Sequence, residues 1–125
     1  MKLYVDDLRV CPEGWTLART NTEAIRALYW NSPVDEISID HDICVPFSGE
    51  LSAPVRKRLQ IGQETFQPVV YYIMALPPEL RPKKITMHTA NVSAGKMLID
   101  LMAGAGIKAT YQEGSYNIDL GDSEL

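Results

Sequence analysis

Glu36-Ile37-Ser38-Ile39-Asp40-His41-Asp42 is the stretch whose reading decides the fold. Four residues with strand character run without a break into three polar ones. The same pattern occurs twice more. Lys2-Leu3-Tyr4-Val5 stops at Asp6-Asp7, and Lys84-Ile85-Thr86-Met87 stops at His88-Thr89-Ala90-Asn91. Helix patterns separate these strands, and strands alternating with helices imply a mainly parallel sheet with right-handed connections. In such sheets a ligand sits beyond the carboxyl ends of the strands. The three polar clusters, which hold both histidines of the chain, therefore define one expected site.

The other elements follow from local chemistry. Pro12-Glu13-Gly14 leads into a strand at Trp15 to Arg19. Thr20-Asn21-Thr22-Glu23 has capping-box spacing, and the helix it opens carries Ala24, Ile25, Leu28 and Tyr29 on one stripe until Asn31-Ser32-Pro33 stops it. Residues 43–63 read as a long inserted loop or lid, with at most one short helix and a basic run at Arg56-Lys57-Arg58. Phe66 to Leu76 reads as a buried helix, with Val69, Val70, Ile73 and Met74 toward the sheet. Val92 to Ala103 reads as another, with Met97, Leu98, Leu101 and Met102 on one face and Gly104 and Gly106 ending it. Ile107 to Tyr111 and Tyr116 to Leu120 read as closing strands, and Gly121 to Leu125 as a frayed tail. Trp15 and Trp30 read as core or half-buried aromatics.

A length of 125 residues with 46% hydrophobic content fits one globular domain over 1–125. The formal charge of −4 argues against long duplex nucleic acid as a partner, since that binding requires a basic face. A small anionic ligand is compatible with it. Cys11 and Cys44 match no zinc spacing and read as reduced thiols of a cytoplasmic protein. No secretory signal opens the chain, and no apolar run is long enough to span a bilayer.

The clusters suggest chemistry. Asp6, Asp7 and Asp40 on neighbouring strands, about 4.8 Å apart, can bring their carboxylates together. Such a group repels itself unless a cation relieves it, and Mg²⁺ or Mn²⁺ suits all-oxygen ligands. The bland alternative assigns Asp7 and Asp42 to turns and caps. His41 and His88 could supply the base and the acid that opening a cyclic phosphate requires; the alternative is a pair of structural histidines. Asn91 is a natural N-cap, and the helix after it presents N–H groups to an anion. Thr89 lies beside it. Arg9 could hold a phosphate oxygen or pair with Asp7 or Asp42.

Val5-Asp6-Asp7-Leu8-Arg9, Pro12-Glu13-Gly14-Trp15, Ile37 to Asp42 and His88-Thr89-Ala90-Asn91 together resemble the signature blocks of the cyclic-phosphate processing receiver-like family. The helix around Gly95 and Met97 fits as well. The resemblance implies a receiver-like, flavodoxin-like three-layer domain with strand order 2-1-3-4-5. It implies action on cyclic phosphates of RNA ends or nucleotides, and members are common in phage and bacterial genomes. It carries a site over to Asp6, Asp7, Arg9, Asp40, His41, Asp42, His88 and Asn91. Two departures stand out. Ile43-Cys44-Val45-Pro46 replaces the family's Gly-rich turn, and Tyr111-Gln112-Glu113 offers no counterpart to the receiver lysine.

The resulting expectation is a phosphoesterase acting on a cyclic phosphate. Asp40, His41 and His88 are its catalytic residues. Arg9, Asp42, Thr89 and Asn91 bind substrate, and Asp6, Asp7 and Asp40 hold a divalent metal. A binder that sequesters a cyclic nucleotide and a phosphoacceptor receiver with Asp40 as its acceptor are the competing expectations.

Overall fold

The computed structural model describes residues 1–44 and 63–113. Five strands form the main sheet: β1 (Lys2–Val5), β2 (Thr16–Ala18), β3 (Glu36–Ile39), β6 (Ile85–Met87) and β7 (Thr110–Tyr111). Their spatial order is β2-β1-β3-β6-β7, and every neighbouring pair is parallel. Counted within this sheet alone, the order is 2-1-3-4-5, as expected. Among the described residues the α-helices are α1 (Asn21–Asn31), α2 (Gln67–Ala75) and α3 (Val92–Gly104). None of these is long and apolar enough to cross a membrane.

Register sorts the strand residues into rows. Tyr4 lies beside Ser38, and Ser38 beside Thr86. The flanking rows are Leu3-Ile37-Ile85 and Val5-Ile39-Met87. Successive side chains on a strand point to opposite faces, so one face is apolar and the other carries tyrosine and hydroxyls. The apolar rows join Ala24, Leu28, Val69, Val70, Ile73, Leu98 and Met102 in a single core. All three helices thus cover the same face, with α2 packed between α1 and α3. Right-handed crossovers demand this, because the connections from β2 to β3, β3 to β6 and β6 to β7 all step in one direction. The connection from β1 to β2 steps the other way and covers the polar face. Over the described residues the third layer is this 6–15 connection, not a helix.

The helices form where their caps place them. Thr20 Oγ1 accepts from Glu23 N at 3.1 Å, and Asn91 Oδ1 accepts from Ala94 N at 3.2 Å. Such caps each stabilise by about 1 kcal/mol. Leu28 and Leu98 are fully buried, and truncating either to alanine would cost about 2–5 kcal/mol.

Several expected faces are corrected. Tyr29 and Trp30 are 67% and 74% exposed; Ala24 and Leu28 alone are the fully buried stripe of α1. On α3, Leu98 and Met102 are buried whereas Met97 and Leu101 face outward. The reason is Gly95. A Cβ there would stand 2.9 Å from Thr89 Cγ2 and 3.3 Å from the Tyr111 ring. Leu98 and Met102, three and seven residues on, follow Gly95 onto the inner face.

The inserted segment also differs from a plain loop. Its ends form an antiparallel ribbon, β4 (Asp42–Cys44) with β5 (Gln63–Thr65), in the register Asp42↔Thr65 and Cys44↔Gln63. Three-residue strands at the ends of a long insertion leave too little periodicity to see in sequence. The rest of the expected lid, with Arg56, Lys57 and Arg58, the closing strand Tyr116–Leu120 and the tail 121–125 all lie outside the described residues. Of the two cysteines, Cys11 is a free thiol.

Candidate functional site

Asp6, Asp40 and His88 each lie two residues beyond the polar row of Tyr4, Ser38 and Thr86, just past the strand ends. Parity therefore sends all three side chains toward the 6–15 side, where they meet. Asp6 is fully buried. Its Oδ1 accepts from Leu8 N at 2.8 Å and Arg9 N at 2.7 Å. Its Oδ2 accepts from Arg9 Nη1 and His88 Nε2, both at 2.9 Å. The Asp6 side chain thus folds the turn that follows it and anchors the site.

Arg9 links the two central carboxylates. Its Nη1 lies 2.9 Å from Asp6 Oδ2 and 3.3 Å from Asp40 Oδ2, with all three side chains buried. Burial pulls the guanidinium pKa down, but the charge of Asp40 and the hydrogen bond to Asp6 outweigh it and raise it. Arg9 is cationic here. The pairs of Arg9 with Asp6 and Asp40 were not among those anticipated in sequence. Arg19 supports the turn by donating from Nη1 to the Arg9 carbonyl at 2.8 Å.

His88 is buried and held on three sides. Its ring stacks on Tyr4, with centroids 4.4 Å apart and planes 5° from parallel. Nδ1 lies 2.6 Å from Ser38 Oγ. An ionised carboxylate only accepts, so Nε2 carries the hydrogen toward Asp6. Burial, reinforced by the charge of Asp6, pushes the Tyr4 phenol up to about 12.

His41 takes the opposite direction. It continues the parity of Ile37 and Ile39 and turns toward the helix layer. Nδ1 lies 2.6 Å from Asp42 Oδ1, and Nε2 lies 3.0 Å from Gln67 Nε2 at the start of α2. Its backbone N–H donates to Asp40 Oδ1 at 2.8 Å. The two histidines thus leave adjacent strands on opposite faces of the sheet edge. His88 is surrounded by buried partners, whereas His41 is held by half-buried ones.

Thr89 and Asn91 perform local work. Thr89 Oγ1 accepts from Asn91 N at 3.0 Å, and Asn91 caps α3. Tyr111 Oη donates to the Thr89 carbonyl at 2.7 Å. Together they hold the α3 N-terminus, with its partial positive charge, at the same sheet edge.

One carboxylate oxygen from each of Asp6, Asp7 and Asp40 lies within 4.8 Å of the others. Three hard oxygen donors at that spacing could hold Mg²⁺ or Mn²⁺. Arg9 offsets part of the charge of Asp6 and Asp40. Gln67, Ser38 and Tyr4 were missed in the sequence reading. Ser38 and Tyr4 share the parity of Asp40 and Asp6, and that signal was available. Gln67 gives no local signal.

No curated protein and no solved structure matches the chain. The family model described as the cyclic-phosphate processing receiver domain matches residues 1–104, which include the site residues from Tyr4 to Asn91, and the chain belongs to that family.

Proposed function

We propose that the chain is a phosphoesterase that opens a cyclic phosphate of a nucleotide or an RNA end. The observation that carries this reading is the placement of His41 and His88 on opposite faces of one sheet edge, with Asp40 bonded to the His41 backbone and paired with Arg9. Hydrolysis joins a water oxygen to phosphorus and breaks one ring P–O bond. Water loses a proton, and the departing ring oxygen gains one. Attack and departure lie on opposite sides of phosphorus, so the base and the acid must as well.

In this scheme Asp42 holds His41 with its Nδ1–H inward, and Nε2 takes the proton from water. His88 passes its Nε2 proton to the leaving oxygen, and Asp6 holds that proton in place beforehand. Asp40 orients the attacking water. Arg9 and the N-terminus of α3 near Thr89 and Asn91 face the phosphate oxygens. A divalent ion bound by Asp6, Asp7 and Asp40 would add charge stabilisation at phosphorus.

A second reading, sequestration without turnover, is favoured by a specific observation. All four imidazole nitrogens already have partners within the chain, so catalysis requires Gln67 and Asp6 to release Nε2 atoms on binding. One experiment separates the readings. The protein is incubated with 2′,3′-cyclic and 3′,5′-cyclic nucleotides and with RNA ending in a 2′,3′-cyclic phosphate, with and without Mg²⁺. Mass spectrometry then reads product while calorimetry reads binding. A mass gain of one water supports the enzyme. Binding with return of intact ligand replaces it with the sequestration reading, and neither binding nor product sinks both.

A further inference from the structure

We propose that Gln67, oriented by Tyr71, is a positioning residue that holds His41 as a hydrogen-bond acceptor at Nε2. The relevance to turnover rests on the phosphoesterase reading; the hydrogen-bond assignment does not.

The chain of contacts is Asp42 Oδ1 to His41 Nδ1 at 2.6 Å, His41 Nε2 to Gln67 Nε2 at 3.0 Å, and Gln67 Oε1 to Tyr71 Oη at 3.0 Å. Donor and acceptor roles follow from one end. Ionised Asp42 can only accept, so Nδ1 carries hydrogen. A neutral imidazole then has a lone pair at Nε2, which requires a donor. The Gln67 amide meets this by presenting its NH₂ to His41 and its oxygen to the Tyr71 hydroxyl. The reversed amide would set an oxygen against the Nε2 lone pair. Tyr71 is one helical turn beyond Gln67 and half-exposed, so its phenol fixes the amide from the solvent side.

Both ring partners of His41 belong to one small unit. Asp42 opens β4, whose partner strand β5 ends at Thr65, two residues before Gln67. Phe66 N donates to the His41 carbonyl at 2.8 Å, and Gln67 N donates to Thr65 Oγ1 at 3.3 Å. The ribbon thus grips the imidazole at each nitrogen and its backbone at a third point. Such a grip directs the Nε2 lone pair along the Gln67 N–H, which marks the direction from which a reacting proton reaches His41.

Heteronuclear NMR of ¹⁵N-labelled protein tests the assignment at about pH 8, above the ordinary imidazole range near 6.5. Wild type should show a protonated-type Nδ1 and an unprotonated-type Nε2 whose resonance is displaced by a hydrogen bond. In Gln67→Ala the Nε2 resonance should move to that of a lone pair in water, with Nδ1 unchanged. Tyr71→Phe should move it part of the way and, at a half-exposed site, leaves the fold intact even if Gln67→Ala does not fold. With 2′,3′-cyclic CMP as probe, Gln67→Ala should lower kcat about tenfold with KM little changed, because the ring is less often aligned for the incoming water once the amide that orients it is gone. An Nε2–H tautomer in wild type, or an Nε2 resonance unmoved in both variants, overturns the proposal. Absence of turnover by wild type sinks the phosphoesterase reading alone, and the spectra then decide the role of Gln67.

Discussion

Arg9 Nη1 lies 2.9 Å from Asp6 Oδ2, with both side chains shut away from solvent. A buried pair of this kind is costly to break on one side, because the remaining charge has no water to turn to. Arg9 also lies 3.3 Å from Asp40, so its removal takes a cation away from two buried carboxylates at once. Arg9→Met should therefore destabilise the protein by about 3–5 kcal/mol, read as a fall in the urea midpoint with little change in slope. A change below about 1 kcal/mol would show that solvent or an ion takes over the role of Arg9.

The same relationship shapes the response to metal. A ligand that prefers the folded state stabilises it, by about 2.7 kcal/mol at a hundredfold excess over Kd. Mg²⁺ or Mn²⁺ should raise the melting temperature of the wild type. Asp7→Asn should remove most of the rise with little loss of basal stability, since Asp7 is the half-buried member of the acidic trio. A wild-type melting temperature flat up to millimolar metal would show that the cluster holds no divalent ion.

Gly95 gives a prediction of opposite character. Alanine is the better helix former by about 1 kcal/mol, so a simple propensity argument favours Gly95→Ala. The new Cβ would stand 2.9 Å from Thr89 Cγ2, and Thr89 cannot turn away without losing its bond to Asn91 N. Overpacking costs about 1–3 kcal/mol, so net destabilisation of up to about 2 kcal/mol is expected, with ligand affinity falling as the α3 N-terminus shifts. A rise in melting temperature would show that Thr89 yields freely.

Much of this was legible in the sequence, and the parts that were not have identifiable causes. Three strands ending in polar clusters fixed the sheet edge, and the parallel order followed from alternation. The divergence of the histidines was also written there: His41 continues Ile37 and Ile39, whereas His88 continues Thr86. Met97 and Leu101 were assigned inward because they are as apolar as Leu98 and Met102; only the contact of Gly95 with Thr89 and Tyr111 chooses between the stripes. Gln67 was hidden because its meeting with His41 spans 26 residues and runs through a ribbon too short to show a pattern.

Tyr4 provides a test at alkaline pH. Its phenol is pushed up to about 12, first by burial and then by Asp6, from an ordinary value of about 10. A raised phenol contributes stability that is fully present below pH 10. It is lost as pH rises from 10 through 12, because the unfolded chain ionises first. Tyr4→Phe, which keeps the ring on His88, should remove one late step from the ultraviolet phenolate titration and flatten the fall in stability over that window. Loss of a step near the ordinary value of about 10 instead would place the Tyr4 hydroxyl in water.

The histidines give the sharpest contrast. His41 is held by half-buried Asp42 and Gln67, so His41→Ala leaves groups that water can reach. The fold should lose little, and turnover should fall about 10²- to 10⁴-fold, the usual worth of general acid–base catalysis. His88 supports buried Ser38 and Asp6 and stacks on Tyr4. His88→Ala removes one donor from Asp6 and the ring partner of buried Ser38, and a buried group left unsatisfied costs about 1–3 kcal/mol. It should lower both stability and turnover, whereas His88→Gln, which can restore one hydrogen bond, should recover stability more than turnover. Under sequestration, wild type forms no product, and His41→Ala changes affinity directly. Turnover, affinity and urea midpoint measured on these three variants separate the cases, and full activity in folded His41→Ala would remove His41 from the chemistry.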